Sequence, residues 1–157
     1  MCRFAAKGFA MGSWAVDSFA NDDAADWLAE LEDQRDLALV ELTLDVALTL
    51  GEEYLEVAEA ARGLVAAEVI ASARGHAGLN ASAEPQLARW IATVRPAPDA
   101  GLVGRAVELV DRVLDDGSEL RELWEEAGEA DAWRSDVQDL RRRLLAGPPG
   151  KRVMAQG

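Results

Sequence analysis

The sequence predicts an all-α fold: a single compact domain of six to seven helices with short loops. Three observations carry this. Apolar residues recur at helical spacing through most of the chain. No segment alternates apolar and polar residues between hairpin turns, and no fixed internal period is visible. The 157 residues, 50% of them hydrophobic and 29% charged, suit one domain that needs no disulfide or metal to fold.

The expected boundaries are a leader over residues 1–10, a helical domain over 11–146 and a disordered tail over 147–157. The leader lacks the acidic character of the rest of the chain, and Met11 opens the patterned stretch, so Met11 is expected to be the natural start. Gly147-Pro148-Pro149-Gly150 breaks the chain, and too few apolar residues remain beyond it to pack.

Asn21 is suited to cap the first helix, with Asp22 and Asp23 placed to complement its dipole and Trp27, Leu28 and Leu31 on one face. Asp36 to Leu50 is apolar on most sides, the pattern of a central helix with a narrow polar stripe at Glu41 and Asp45; Gly51 ends it. A long helix is expected over Glu52 to Arg74, with Tyr54, Val57, Ala58, Ala61, Leu64 and Val65 on one face. Gly63 weakens it by roughly 1 kcal/mol relative to alanine, which packing must offset. After a loop at Gly75 to Gly78, Leu87, Trp90, Ile91 and Val94 mark a short helix stopped by Pro96 and Pro98. Val103, Ala106, Val107, Val110, Val113 and Leu114 form the cleanest stripe. Gly117 closes that helix, Ser118 caps the next with Leu120, Leu123 and Trp124, and Trp133, Val137, Leu140 and Leu144 line the last.

Asp plus Glu number 29 against 16 Lys plus Arg, for a formal net charge of −13. Such a surface repels phosphate backbones and anionic lipids, so no nucleic acid and no membrane is expected as a partner; the surplus is read first as solubility, with a basic protein as the candidate partner. No apolar run reaches the ~18–20 residues of a spanning helix. Arg3 and Lys7 are not followed by a signal-peptide core, and the one cysteine, Cys2, has no internal partner, so a cytoplasmic location is expected.

Catalytic chemistry finds little to work with. His76 is the only histidine and completes neither a hydrolase triad nor a histidine metal site. No nucleophile elbow, phosphate-binding glycine loop or Cys-x-x-Cys occurs. Glu52, Glu53 and Glu56 resemble the first half of the magnesium segment of all-helical nucleotide pyrophosphohydrolases. The second half is missing, since Glu68 is followed three residues on by Ala71, and Glu108 with Asp111 lies too far along. No catalytic residue, metal or cofactor is therefore expected. Glu68 falls in the middle of an apolar face, where an unpaired carboxylate costs several kcal/mol, so donors or an arginine should sit beside it.

Met11-Gly12-Ser13-Trp14, then Phe19-Ala20-Asn21-Asp22-Asp23-Ala24-Ala25-Asp26-Trp27-Leu28, resembles the opening signature of the bacterial family catalogued as domain of unknown function 4259. Ser118 to Trp124, with Trp133 and the run to Leu144, resembles its closing signature, and Ala66 to Val69 fits its middle. The resemblance covers about residues 11–145. Ala15-Val16-Asp17 departs from it where the family often has a glycine-rich turn. No reaction, ligand or partner follows from the resemblance.

Trp14 and Phe19 precede a capped helix, placed to pack back on the core as a hydrophobic staple does. The binding alternative is a small polar pocket floored by Trp14 and Trp27, with Asp22, Asp26 and Glu68 converging. Trp14, Phe19, Asn21, Asp22, Asp26, Trp27 and Glu68 are thus the candidate binding residues. Two function classes follow. One is a non-catalytic binding or regulatory protein that neutralises a basic partner such as a toxin or nuclease. The other is a metal-dependent hydrolase using Asp22, Asp26, Glu68 or the Glu52 to Glu56 run.

Overall fold

A small-residue helix at the centre organises the fold. The computed structural model describes residues 22–147, which form α1 (Asp22–Glu32), α2 (Ala38–Leu50), α3 (Val57–Ala73), α4 (Leu79–Ser82), α5 (Pro85–Val94), α6 (Ala100–Leu114), α7 (Glu119–Glu126) and α8 (Ala130–Leu145). Because α4 is a single turn, the described residues form seven helices of substance, as the periodicity predicts. They contain no strand, and the one ladder contact is an isolated parallel bridge between Leu55 and Ser118. No described helix is long and apolar enough to cross a membrane.

The central helix is α3, not α2. Every residue from Gly63 to Ala71 is buried, and α3 touches every other helix. Its alanines and glycine explain this: short side chains let neighbouring helices approach from all sides. At Gly63 a Cβ would come within 2.9–3.1 Å of the Leu109 side chain on α6, which is the packing that offsets the weak helix propensity of glycine. Leucine-rich α2 instead lies on the outside. It buries Val40, Leu44 and Ala47 but exposes Leu42, Val46 and Leu50.

Several expected stripes are seen. Trp27, Leu28 and Leu31 of α1 are buried with Ala24, and Trp133, Val137, Leu140 and Leu144 of α8 are all buried. Local chemistry starts and stops the helices. Asp99 accepts the Leu102 amide at the start of α6, Ser118 accepts that of Arg121 at the start of α7, and Pro85 opens α5. Arg95 ends α5 in the left-handed region at φ 53° before Pro96.

The expected helix over Glu52 to Arg74 is shorter than the sequence suggests. Gly51 to Glu53 form a turn and Tyr54 to Glu56 an extended link before α3 begins at Val57. A partner distant in sequence takes the backbone groups that would have continued the helix. The Leu55 amide donates to the Gly117 carbonyl (2.8 Å), and the Glu119 amide donates to the Leu55 carbonyl (2.9 Å). The Glu119 carboxylate accepts the Val57 amide and so caps α3 from α7 (2.9 Å). Arg112 completes the joint by donating to the carbonyls of Gly51, Asp116 and Gly117.

Candidate functional site

Of the expected site residues, the structure describes Asp22, Asp26, Trp27 and Glu68. Trp14, Phe19 and Asn21, together with Met11, the leader and the last ten residues, lie outside the described residues. Asp22 and Asp26 are exposed on α1. Trp27 is buried, and its indole N–H donates to the Thr43 hydroxyl on α2 (2.8 Å), which in turn donates to the Leu39 carbonyl (2.7 Å).

Glu68 is buried deep on α3 and faces α8, where Arg143 grips it with both terminal nitrogens, 3.0 and 3.2 Å from its two oxygens. Arg143 also donates to Asp139 (2.8 Å) and to the His76 carbonyl (3.1 Å). Burial works to lower the Arg143 guanidinium, but its bonds and charge contacts with Glu68 and then Asp139 hold it above its ordinary value. The chain passes so close at Gly78 that a Cβ there would meet the guanidinium at 2.8 Å. Glu68 is thus a brace tying α3 and α8 to the Gly75 to Gly78 loop, and Asp22 and Asp26 do not join it. Among the described residues no group of three or more His, Cys, Asp or Glu is placed to hold a metal ion.

A different surface emerges where the link before α3 meets α7. Tyr54 is 42% exposed, and its hydroxyl donates to the Glu122 carboxylate (2.8 Å). That bond, reinforced by the charges of Glu122, Glu119 and Glu56, pushes the phenol up to about 12. Glu52, Glu53 and Glu56 are exposed around it and pair with no arginine among the described residues. Leu50, Gly51, Tyr54, Leu55, Glu56 and Glu59 line a notch of about 210 Å³. Small-molecule pockets run to roughly 300–1,000 Å³, so this one suits a side chain of a docking partner better than a whole ligand. Leu50 adds exposed apolar area to the same corner.

The order of residues gives half of this corner. Glu52-Glu53-Tyr54 with Glu56 is an acidic, aromatic run after a helix stop, but read as helix it scatters around a cylinder. Nothing local signals that Glu119 and Glu122 join it, since the joint depends on the Leu55 bridge to Gly117 and Ser118.

The family described as Domain of unknown function (DUF4259) matches residues 12–136. The chain belongs to this family. The match takes in the acidic corner and Glu68 but ends before Arg143, so the brace reaches beyond the matched part of the DUF4259 domain. No curated protein and no solved structure matches the chain.

Proposed function

We propose that this DUF4259 protein is a non-catalytic binding protein that docks a basic protein partner at the Tyr54 corner and thereby neutralises the partner's cationic surface. The observation that carries this reading is the concentration of unpaired carboxylates at Glu52, Glu53 and Glu56 around an exposed tyrosine and a notch the size of a side chain. Lysine or arginine of a partner would relieve that mutual repulsion, and the tyrosine ring and Leu50 offer an apolar surface for the stem of such a side chain. A net charge of −13 steers a basic partner toward the surface from a distance.

Calorimetric titration with an oligolysine peptide tests the reading. Binding should weaken as salt shortens the screening length. A variant with Glu52→Gln, Glu53→Gln, Glu56→Gln and Glu122→Gln should bind roughly tenfold or more weakly than the parent, about 1.4 kcal/mol. A second variant with Asp22→Asn, Asp26→Asn, Glu30→Gln and Asp33→Asn removes the same charge from around α1 and should bind nearly as well as the parent. Equal losses in the two variants would show a diffuse charge effect and sink the assignment.

A further inference from the structure

The notch beside Tyr54 combines a shape and a chemistry that a general attraction to cations does not use. Leu50, Leu55 and Tyr54 supply apolar lining, and Glu56 and Glu59 complete it. The lining is held from outside. Leu55 is pinned through its amide and its carbonyl to Gly117 and Glu119, and the Tyr54 hydroxyl is committed to Glu122. The Gly51 carbonyl accepts from Arg112 (2.8 Å), and a Cβ at Gly51 would come within 2.6 Å of the Leu55 Cδ1, so a side chain there would displace the inner wall. A recess fixed in this way before any partner arrives loses little freedom on binding.

The two carboxylates of the notch are left underused by the fold. Glu56 stands just ahead of α3, where a side chain would ordinarily cap the helix, yet it makes no capping bond. The Glu119 carboxylate takes the Val57 amide in its place. Glu56 has no arginine partner among the described residues. Glu59, in the first turn of α3, reaches Arg62 only at 3.8 Å, and Arg62 is shared with Asp23 at 3.5 Å.

We propose that the notch is an arginine socket. Resting on the basic-partner reading above, the assignment is that one arginine of the docking protein inserts with its stem along Leu50 and Leu55, its guanidinium against the Tyr54 ring and its N–H groups donating to Glu56 and Glu59. A guanidinium presents five donors in one plane and stacks on an aromatic face, so it can serve both carboxylates at once. A lysine ammonium is a compact, strongly hydrated point charge and gains less from the ring and the second carboxylate. The protein uses arginine in this way internally, since Arg143 lies between Glu68 and Asp139 and donates to both.

Calorimetric titration with hexa-arginine and with hexalysine at one salt concentration tests the socket with peptides of equal charge. The parent should bind hexa-arginine roughly tenfold more tightly than hexalysine. Glu56→Gln with Glu59→Gln should bring that ratio close to one. Tyr54→Leu, which keeps every carboxylate, should do the same. The variant with Asp22→Asn, Asp26→Asn, Glu30→Gln and Asp33→Asn should keep the preference. Equal affinity of the parent for the two peptides would overturn the socket, while hexalysine binding that depends on Glu52, Glu53, Glu56 and Glu122 would leave the docking corner standing. A preference that survives in the Glu56 and Glu59 variant or in Tyr54→Leu would also overturn it, because arginine would then be read elsewhere. Binding of neither peptide would remove the corner and the socket together.

Discussion

Arg143 and Glu68 face each other across 75 positions of sequence, and one guanidinium closes on both oxygens of one carboxylate. With Glu68 nearly inaccessible, this pair fixes α8 against the central helix. Removing one partner strands the other. Glu68→Ala should therefore cost about 3 kcal/mol of unfolding free energy, whereas Glu68→Leu combined with Arg143→Leu should recover most of it. Denaturant midpoints on the two variants check this. Magnesium or manganese should leave the melting temperature of the parent unchanged, since binding to the folded state would raise it.

Gly63 lies under Leu109, so Gly63→Ala sets two effects against each other. Alanine improves helix propensity by roughly 1 kcal/mol, while forcing a methyl group into a filled site costs roughly 1–3 kcal/mol. Crowding should win, with a net loss of about 1 kcal/mol by chemical denaturation. A stabilised variant would show that Leu109 moves aside freely.

Tyr54 is the only tyrosine in the chain, so tyrosinate absorbance reports it directly. With the phenol held at about 12 instead of 10.0, the neutral form is favoured by folding. That contribution is complete below pH 10, the unfolded value, and is lost as pH rises through 12. The folded protein should show little tyrosinate at about pH 11, and Glu122→Gln should move the titration down toward the ordinary value. A parent that titrates at the ordinary value would break the link between Tyr54 and Glu122.

Ser72 holds a buried hydroxyl with no hydrogen-bond partner among the protein groups around it. Ser72→Ala removes that unsatisfied oxygen and should leave stability unchanged or raise it by up to about 1 kcal/mol. A clear loss in thermal unfolding would reveal a partner for the hydroxyl.

Deleting residues 1–10 should leave the melting temperature nearly unchanged, because patterned sequence begins at Met11. A drop of many degrees would mean that those residues pack on the domain.

Much of the architecture is readable because helical periodicity is local. The stripes of α1 and α8 are visible within single turns, and Glu68 stands out as a carboxylate on an apolar face. On α6 the expected Ala106, Val110 and Val113 are buried, but Leu102 and Leu109 are buried in place of Val103, Val107 and Leu114, which are only half-buried. Two features are not readable in this way. The centrality of α3 rests on alanine and glycine, whose hydropathy is modest but whose small volume admits neighbours, whereas the leucines of α2 advertise a burial that Leu42, Val46 and Leu50 do not have. The break before Val57 depends on Gly117 and Glu119, more than sixty positions away, and no window of sequence includes both sides of that joint. Local pattern therefore puts Tyr54 on the face of a helix, whereas the fold puts it in an acidic corner.

The position of α3 in the chain has a consequence for synthesis. Its walls are α1 and α2 before it and α6 and α8 after it, so a growing chain exposes an all-round apolar helix until its last segment has emerged. A product truncated before Ala130 would leave α3 without the α8 side of its enclosure and Glu68 without the guanidinium of Arg143. Premature termination in this gene should therefore yield aggregates or degradation products in place of a shortened soluble domain.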